Sequence, residues 1–173
     1  MTGRAAAPTL RILGIDPGSR RTGVGLVEAT GDRLRVVHYT VIQAGTGDFP
    51  DRLGKIFSGV RDLVAAHRPT VAAVETVFVS HNAASAIKLG QARGAAICAL
   101  VEAGLPVSEY APRAIKQALV GKGGADKVQV QHMVRVLLGL REAPAEDAAD
   151  ALAVALCHHH TQGTLQRMAA LRT

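Results

Sequence analysis

The chain of 173 residues lacks the features that define several classes of protein. It has two cysteines, Cys98 and Cys157, and each lies in an apolar run, which excludes a disulfide framework and a multi-cysteine zinc site. The longest apolar runs, 95–101 and 151–157, fall far short of the ~20 residues that a membrane-spanning helix needs. The first ten residues lack the apolar segment of a signal peptide. We therefore expect a cytoplasmic protein that does not associate with a membrane.

The chain has an excess of basic residues, and the excess is concentrated in one segment. Lys and Arg number 20 against 14 Asp and Glu, giving a net charge of +6. Residues 111–141 contain one acidic residue, Asp126, and six basic ones: Arg113, Lys116, Lys122, Lys127, Arg135 and Arg141. Such a segment indicates binding to a polyanion, for which nucleic acid is the default. A solvated helix face is the alternative.

Five short segments have the pattern of β-strands. Three of them, rich in Val or alternating and separated by turns that contain glycine, predict strands joined as hairpins at 10–16, 22–28 and 34–43. Two shorter apolar runs predict further strands at 71–75 and 107–110.

Helical patterns occupy most of the remaining chain. Apolar periodicity predicts helices over 49–67, 82–103, 112–121 and 126–138, and a last helix from about residue 145 to His160. The second of these carries many small residues, which suits either packing against the sheet or contact with a second subunit. His158, His159 and His160 are interpreted as solvated residues near the end of the last helix, because a metal-ligand role has little support from the pattern.

This order of elements predicts the α/β class. Three antiparallel strands, followed by strands that alternate with helices, give a mixed five-stranded sheet with helices on both faces. A length of 173 residues suits one domain, which we place at 10–160. Residues 1–9 and 161–173 are predicted to be flexible tails.

Four acidic residues have positions that favour a shared site. Asp16 and Glu75 each end a predicted strand, and ligand crevices of α/β sheets open at such strand ends. Asp147 and Asp150 are three residues apart, so a helix places them on one face. Four carboxylates at one place repel each other unless cations intervene, and a pair of Mg²⁺ ions is the arrangement used for phosphodiester cleavage.

Each of these acidic residues also has a structural interpretation. Asp16 precedes Pro-Gly and is a candidate turn former, and Asp147 is a candidate first-turn acid that complements the helix dipole. Glu75 is harder to explain in this way, because apolar residues flank it on both sides. Spacing alone leaves the metal site and the structural roles open.

Five long motifs nevertheless occur together and in a known order: GIDPGSRRTGVGLVE, VETVFVSHNAASAIKLGQARG, IKQALVG, KVQVQHMVRVLLGL and DAADALAVA. They cover the chain from residue 12 to about 159 and closely resemble the RuvC family of Holliday-junction resolvases. The resemblance implies a ribonuclease-H-like fold and a homodimer. It also implies an endonuclease of recombination and repair that nicks two opposed strands of a four-way DNA junction.

The resemblance also implies roles for individual residues. Asp16, Glu75, Asp147 and Asp150 match the acidic catalytic positions, which hold two Mg²⁺ ions, with Mn²⁺ as a candidate substitute, and leave a 5′-phosphate and a 3′-hydroxyl. Lys116 and Lys127 match basic positions at the DNA, and Lys127 is also a candidate catalytic residue. Phe78 matches an aromatic residue that stacks at the junction crossover. The resemblance implies the branch-migration proteins RuvA and RuvB as partners.

Arg113 and Lys122 join the predicted DNA-binding residues because they lie in the basic segment.

Two other classes of function compete with the nuclease. GIDPGS followed by TGVG resembles the phosphate-binding hairpin of actin-like ATPases, although 173 residues cannot hold their two lobes and the P-loop pattern is absent. A junction-binding module without catalysis is the other alternative, and the presence of all four acidic residues argues against it.

Overall fold

The computed structural model describes residues 9–77 and 82–171. In these ranges the elements follow the predicted order, and they are: β1 Thr9–Asp16, β2 Arg21–Thr30, β3 Arg33–Gln43, α1 Phe49–His67, β4 Val71–Glu75, α2 Ala83–Glu102, β5 Val107–Tyr110, α3 Pro112–Val120, α4 Lys127–Leu137 and α5 Glu146–Ala170. None of these helices has the length and apolar composition needed to cross a bilayer.

The five strands form one mixed sheet in the order β3-β2-β1-β4-β5. β1, β2 and β3 pair antiparallel, whereas β4 and β5 run parallel to β1. Ile15 of β1 pairs with Val74 of β4, so the next residues along, Asp16 and Glu75, end neighbouring strands side by side. The predicted fold class is thereby confirmed.

Buried side chains cover both faces of the sheet because successive strand residues point to opposite sides. Ile12, Val27 and Ala73 pack with buried residues of α3, α4 and α5. Leu13 and Val74, one residue along, pack with α1 and α2 on the other face. By the same alternation Asp16 and Glu75 belong to the face covered by α5.

Glycines in β1 and β2 let α5 lie directly on the sheet. A Cβ atom at Gly14 would be 2.1 Å from the carbonyl oxygen of Ala151, and one at Gly23 would be 1.9 Å from that of Asp147. No side chain fits at either position. This contact places the first turns of α5, and the acidic residues that they carry, over the C-terminal end of β1.

Both predicted tails differ from the structure where it describes them. Thr9 is the first residue of β1 and pairs with Thr30, while residues 1–8 lie outside the described ranges. α5 does not end near His160 but continues to Ala170, with residues 164–170 exposed. This stretch is rich in Leu, Gln, Arg, Met and Ala and has no proline, so its sequence favours continuation of the helix.

Candidate active site

The centre of the candidate site is a pair of carboxyl groups at the ends of β1 and β4. The Asp16 and Glu75 side chains are hydrogen-bonded to each other. Burial, and then the neighbouring charges of Glu75, Asp150 and Asp147, raise the pKa of Asp16 to about 8. Burial also raises the pKa of Glu75, and the hydrogen bond from Asp16 offsets part of that rise. One proton is therefore held between the two groups at neutral pH.

The other two acidic residues come from the start of α5, and each has a cationic partner. The Asp150 Oδ2 atom lies 2.9 Å from the Lys127 Nζ atom, and the Asp147 Oδ2 atom lies 2.8 Å from the Arg21 Nε atom. Burial raises the pKa of Asp150, and Lys127 acts against this rise. The charges of both residues act on Asp16, so the structure brings the four predicted acidic residues together.

Lys127 is held beside this cluster by the way α4 begins. Asp126 is the N-cap residue, whose side chain accepts a hydrogen bond from the Gln129 backbone N–H at 2.8 Å, while the Gln129 side chain accepts one from the Asp126 N–H at 3.0 Å. Lys127 therefore starts the helix, and its ammonium group donates to Glu146 and Asp150. Burial lowers the pKa of Lys127, but these two hydrogen bonds outweigh it and raise the pKa above its usual value.

Two cavities adjoin Glu75 and give the cluster access to a ligand. One, of about 180 Å³, has three charged side chains besides Glu75 and an apolar wall: Lys116, Lys127, Asp150, Pro112, Ile115, Val130 and Ala153. The other, of about 230 Å³, is lined by Asp16, Pro17, Thr76, Val77, Leu89 and Pro112 as well as Glu75. The acidic residues thus border space in which a substrate group can lie.

The remaining predicted DNA-binding residues lie at different distances from these cavities. Lys116 lines the first cavity, as described above. Arg113 is exposed, and its side chain lies over Gly123 in the loop after α3. Lys122 is exposed in that loop. Neither residue lines either cavity. Phe78 lies outside the described residues.

Sequence reasoning missed three arginines around the site. Arg21 pairs with Asp147. Arg93 of α2 donates from Nε to the backbone carbonyl of Glu75 at 3.0 Å and pairs with Glu109, which fixes the end of β4. Arg52 of α1 is buried and donates from Nε to the Ser19 carbonyl at 2.9 Å, which holds the turn after Asp16. The pattern of the sequence gave no sign of these contacts, because each joins residues far apart in the chain.

The interpretation of the three histidines as solvated residues is wrong for His158. This residue is 3% exposed, and its Nδ1 atom is hydrogen-bonded to the Tyr110 hydroxyl at 2.9 Å. His160 is also partly buried, and its Nδ1 atom lies 3.1 Å from the Ala118 carbonyl oxygen. The reason is the length of α5, which places the histidines in the middle of the helix, where His158 faces β5 and His160 faces α3.

The acidic residues suit a hard divalent cation in their chemistry. In the described ranges no three His, Cys, Asp or Glu side chains stand close enough to form a ready metal site, and Asp147 and Asp150 are paired with Arg21 and Lys127. Asp16 and Glu75, in contrast, have no ion-pair partner among the described residues. Partly buried carboxylates repel each other, and a divalent cation that prefers oxygen ligands would offset this repulsion by binding between them.

A mixed sheet of this order, covered by helices on both faces and carrying carboxylates at the ends of its two central parallel strands, defines a ribonuclease-H-like protein. The sequence model of the crossover junction endodeoxyribonuclease RuvC family matches residues 12–158. The chain belongs to this family, whose members are metal-dependent nucleases. The predicted class of enzyme is thereby confirmed, and the actin-like alternative is wrong.

Individual relatives are similar over nearly their whole length. The crossover junction endodeoxyribonuclease RuvC of Alkalilimnicola ehrlichii is 60% identical over 163 residues, covering 92% of this chain and 99% of the relative. The RuvC of Xanthomonas axonopodis pv. citri is 56% identical over 160 residues, which cover 91% of this chain and 92% of the relative. Thermus thermophilus RuvC, solved in complex with a Holliday junction substrate, superposes with a TM-score of 0.83 at 39% identity, covering 88% of this chain and 94% of that one.

Proposed function

We propose that this chain resolves four-way DNA junctions by a pair of symmetric nicks, each leaving a 5′-phosphate and a 3′-hydroxyl. The observation that supports the proposal most is the convergence of Asp16, Glu75, Asp147 and Asp150 at the end of β1 and β4. Family membership and the solved complex of a relative with a Holliday junction give the substrate.

The proposed ligands are two Mg²⁺ ions, for which Mn²⁺ is a substitute. When bound, they would supply an activated water and stabilise the charge on the leaving 3′ oxygen. Water adds to the phosphorus as the bond from phosphorus to the 3′ oxygen breaks, and the released 3′ oxygen takes up a proton. Asp16, Glu75, Asp147 and Asp150 provide carboxylate oxygens for the ions.

Lys127 and Lys116 have proposed roles at the phosphate. Both line the first cavity, so a phosphate group there would meet two ammonium groups. Lys127, whose ammonium group pairs with Asp150 and Glu146, is a proposed catalytic residue, because its positive charge offsets the negative charge that develops on the phosphate. Arg113 and Lys122 are proposed to bind the DNA backbone farther out, and Phe78 to stack on a base at the crossover.

A homodimer is proposed because two nicks need two sites. A four-way junction has approximate two-fold symmetry, which a two-fold symmetric dimer matches. α2 has a face of small and apolar residues that suits a second copy of the chain, with Ile87, Gly90, Cys98 and Val101 exposed and Gly94 partly buried. Ile87 is 63% exposed and Val101 is 61% exposed, which is unusual for large apolar side chains. RuvA and RuvB are further proposed partners, on the family resemblance.

Product analysis on a synthetic four-way junction tests the proposal. Wild type and Asp16→Asn are compared in Mg²⁺ and in EDTA, with linear duplex as a competitor. We expect paired symmetric nicks that require both the metal and Asp16, while Asp16→Asn binds the junction as well as wild type because the basic surface is intact. Equal cutting of duplex DNA would reject the substrate, and tight junction binding without any cutting would favour the non-catalytic binding module.

A further inference from the structure

Arg21 is a basic residue of the site to which the sequence assigned no role. It is the first residue of β2, and its Nε atom lies 2.8 Å from the Oδ2 atom of Asp147. Its side chain is 52% exposed, so one side of the guanidinium faces solvent. Arg21 therefore stands between a proposed metal ligand and the surface to which DNA would bind.

The backbone fixes this pairing. Gly23 lies two residues after Arg21 and faces α5, where its Cα approaches the carbonyl of Asp147 so closely that no Cβ fits. Residues two apart in a strand point to the same face, so Arg21 also points to the start of α5. Gly23 pairs with Asp16 in the sheet, so Arg21 lies two residues beyond the position opposite Asp16, at the same end of the sheet as Asp16 and Glu75.

The two acidic residues of α5 that are proposed metal ligands each form an ion pair with a basic residue of another element. Asp150 pairs with Lys127 from α4, and Asp147 pairs with Arg21 from β2. A divalent cation that binds Asp147 competes with the guanidinium for the same carboxylate and repels it. An arginine displaced in this way has a long, exposed side chain, and its planar group matches the oxygens of a phosphate.

We propose that Arg21 is a metal-coupled phosphate-binding residue. Asp147 holds the guanidinium until a divalent cation takes the carboxylate, and the guanidinium then binds a backbone phosphate of the DNA close to the cleaved bond. The enzyme thereby gains a DNA contact when the metal site fills. This role rests on the proposed function, because it requires Asp147 to be a metal ligand.

Arg20 supplies a matched control. It adjoins Arg21 and is exposed, but among the described residues it has no carboxylate partner. Any contribution of Arg20 to DNA binding should therefore be the same with and without a divalent cation. Arg21→Gln and Arg20→Gln remove one charge each from the same turn of the chain.

The experiment measures two affinities of wild type, Arg21→Gln and Arg20→Gln. The first is the affinity for Mn²⁺ without DNA, from titration calorimetry. The second is the affinity for a labelled four-way junction over a series of salt concentrations, in EDTA and in Ca²⁺, scored only where a gel shows the DNA to be uncut. Melting curves establish that the variants are folded, and Arg21→Met, which removes the charge but keeps a long side chain, replaces Arg21→Gln if that variant does not fold.

We expect Arg21→Gln to bind Mn²⁺ several-fold more tightly than wild type, because the competitor for Asp147 is gone. In Ca²⁺ it should bind the junction several-fold more weakly, and the slope of log affinity against log salt should fall by about 1. In EDTA it should match wild type, whereas Arg20→Gln should have equal effects under both conditions.

Two results overturn the role of Arg21. An equal loss of junction affinity in EDTA and in Ca²⁺ makes Arg21 an ordinary surface cation, and an unchanged Mn²⁺ affinity means that it does not compete at Asp147. Failure of the proposed function is distinguishable from both, since it appears as wild type that does not cut junctions in Mg²⁺.

Discussion

At the scale of single residues, the central feature of the candidate site is the pair of partly buried carboxyl groups of Asp16 and Glu75. Asp16 and Glu75 end two apolar strands, and their carboxyl groups share a proton because burial, and then the neighbouring carboxylates, raise the pKa of Asp16. Neither forms an ion pair among the described residues. Two carboxyl groups kept together without a counter-charge cost stability in the absence of a ligand. Such a cost is what we expect of the proposed cation site, because a bound cation would offset it.

This cost should depend on pH, with a sign set by the raised pKa of Asp16. The unfolded chain loses the Asp16 proton near its ordinary value of 3.8, whereas the folded chain keeps it up to about pH 8. Stability in EDTA therefore falls as pH rises through this window. Asp16→Asn removes the ionisable group, so its Tm should exceed that of wild type at pH 8 by about 2–4 °C or more, the shift that 1 kcal/mol gives at this size.

The prediction is tested by measuring the Tm of wild type and of Asp16→Asn in EDTA across this pH range. Below about pH 3.8 the two Tm values should converge, since Asp16 is then protonated in both the folded and the unfolded state. A Tm difference that is the same at every pH would show that the substitution acts through packing and not through the charge of Asp16.

Lys127 and Asp126 are neighbours in sequence with different roles. We expect Lys127→Ala to reduce the cleavage rate at least tenfold, because it removes the ammonium group beside Asp150. Asp126→Ala should reduce the rate less. It removes the N-cap of α4 and should cost about 1 kcal/mol of stability.

Asp126→Ser keeps a capping side chain and serves as the control for that loss. Cleavage rates at saturating junction and urea unfolding curves separate the two effects. If Lys127→Ala and Asp126→Ala slow cleavage equally at equal fractions of folded protein, the assigned role of Lys127 is wrong.

At the scale of elements, the decisive contact is that of α5 with β1 and β2. Gly14 and Gly23 allow the helix backbone to lie against the sheet, and this approach carries Asp147 and Asp150 to the ends of the strands. The acidic residues of the helix and those of the strands come together only because two strands have no side chain at these positions.

Replacing a glycine of β1 and a glycine of α1 by alanine should therefore change the stability of the protein in opposite directions. Gly14→Ala places a Cβ atom 2.1 Å from the Ala151 carbonyl oxygen and should be strongly destabilising, by more than about 3 kcal/mol. Gly54→Ala in α1 is the matched control, because no atom lies within 4 Å of its added Cβ. It should stabilise the protein by about 0.5–1 kcal/mol. Urea unfolding measures both, and a Gly14→Ala variant as stable as wild type would contradict the described contact of α5.

At the scale of the whole molecule, the proposed function requires a second copy of the chain that brings a second site. The exposed face of α2 is the proposed contact, and Arg93 on the same helix donates to the backbone of Glu75. The proposed interface and the candidate site are thus joined by one side chain. A change at α2 should affect both assembly and paired cutting.

Gly94→Glu tests the interface. Gly94 has no atom within 4 Å of an added Cβ, so a glutamate there leaves the monomer fold intact while placing a charge in the exposed apolar face. We expect the variant to be monomeric by light scattering and to lose paired nicking. Gly54→Glu makes the same change on α1, also in open space, and should remain a dimer. A dimeric Gly94→Glu would place the interface elsewhere.

Much of this architecture was predictable from local pattern. The bounds of α1, β4 and β5 match the prediction because apolar periodicity, flanking proline and short apolar runs mark them directly. The end of α5 was not predictable in this way, since an exposed helix has no periodic apolar signal and its polar residues read as a tail. His158 was misinterpreted for the same reason.

The sequence by itself determined the class of fold, the basic character of the chain and the four acidic candidates. Each of these is recorded locally, as periodicity, charge or a carboxylate that ends an apolar run. The tertiary structure alone decided which charges meet: Asp16 with Glu75, Asp147 with Arg21 and Asp150 with Lys127. Those pairs join residues that are distant in the chain, and their geometry depends on strand register and on the approach of α5, which no local pattern encodes.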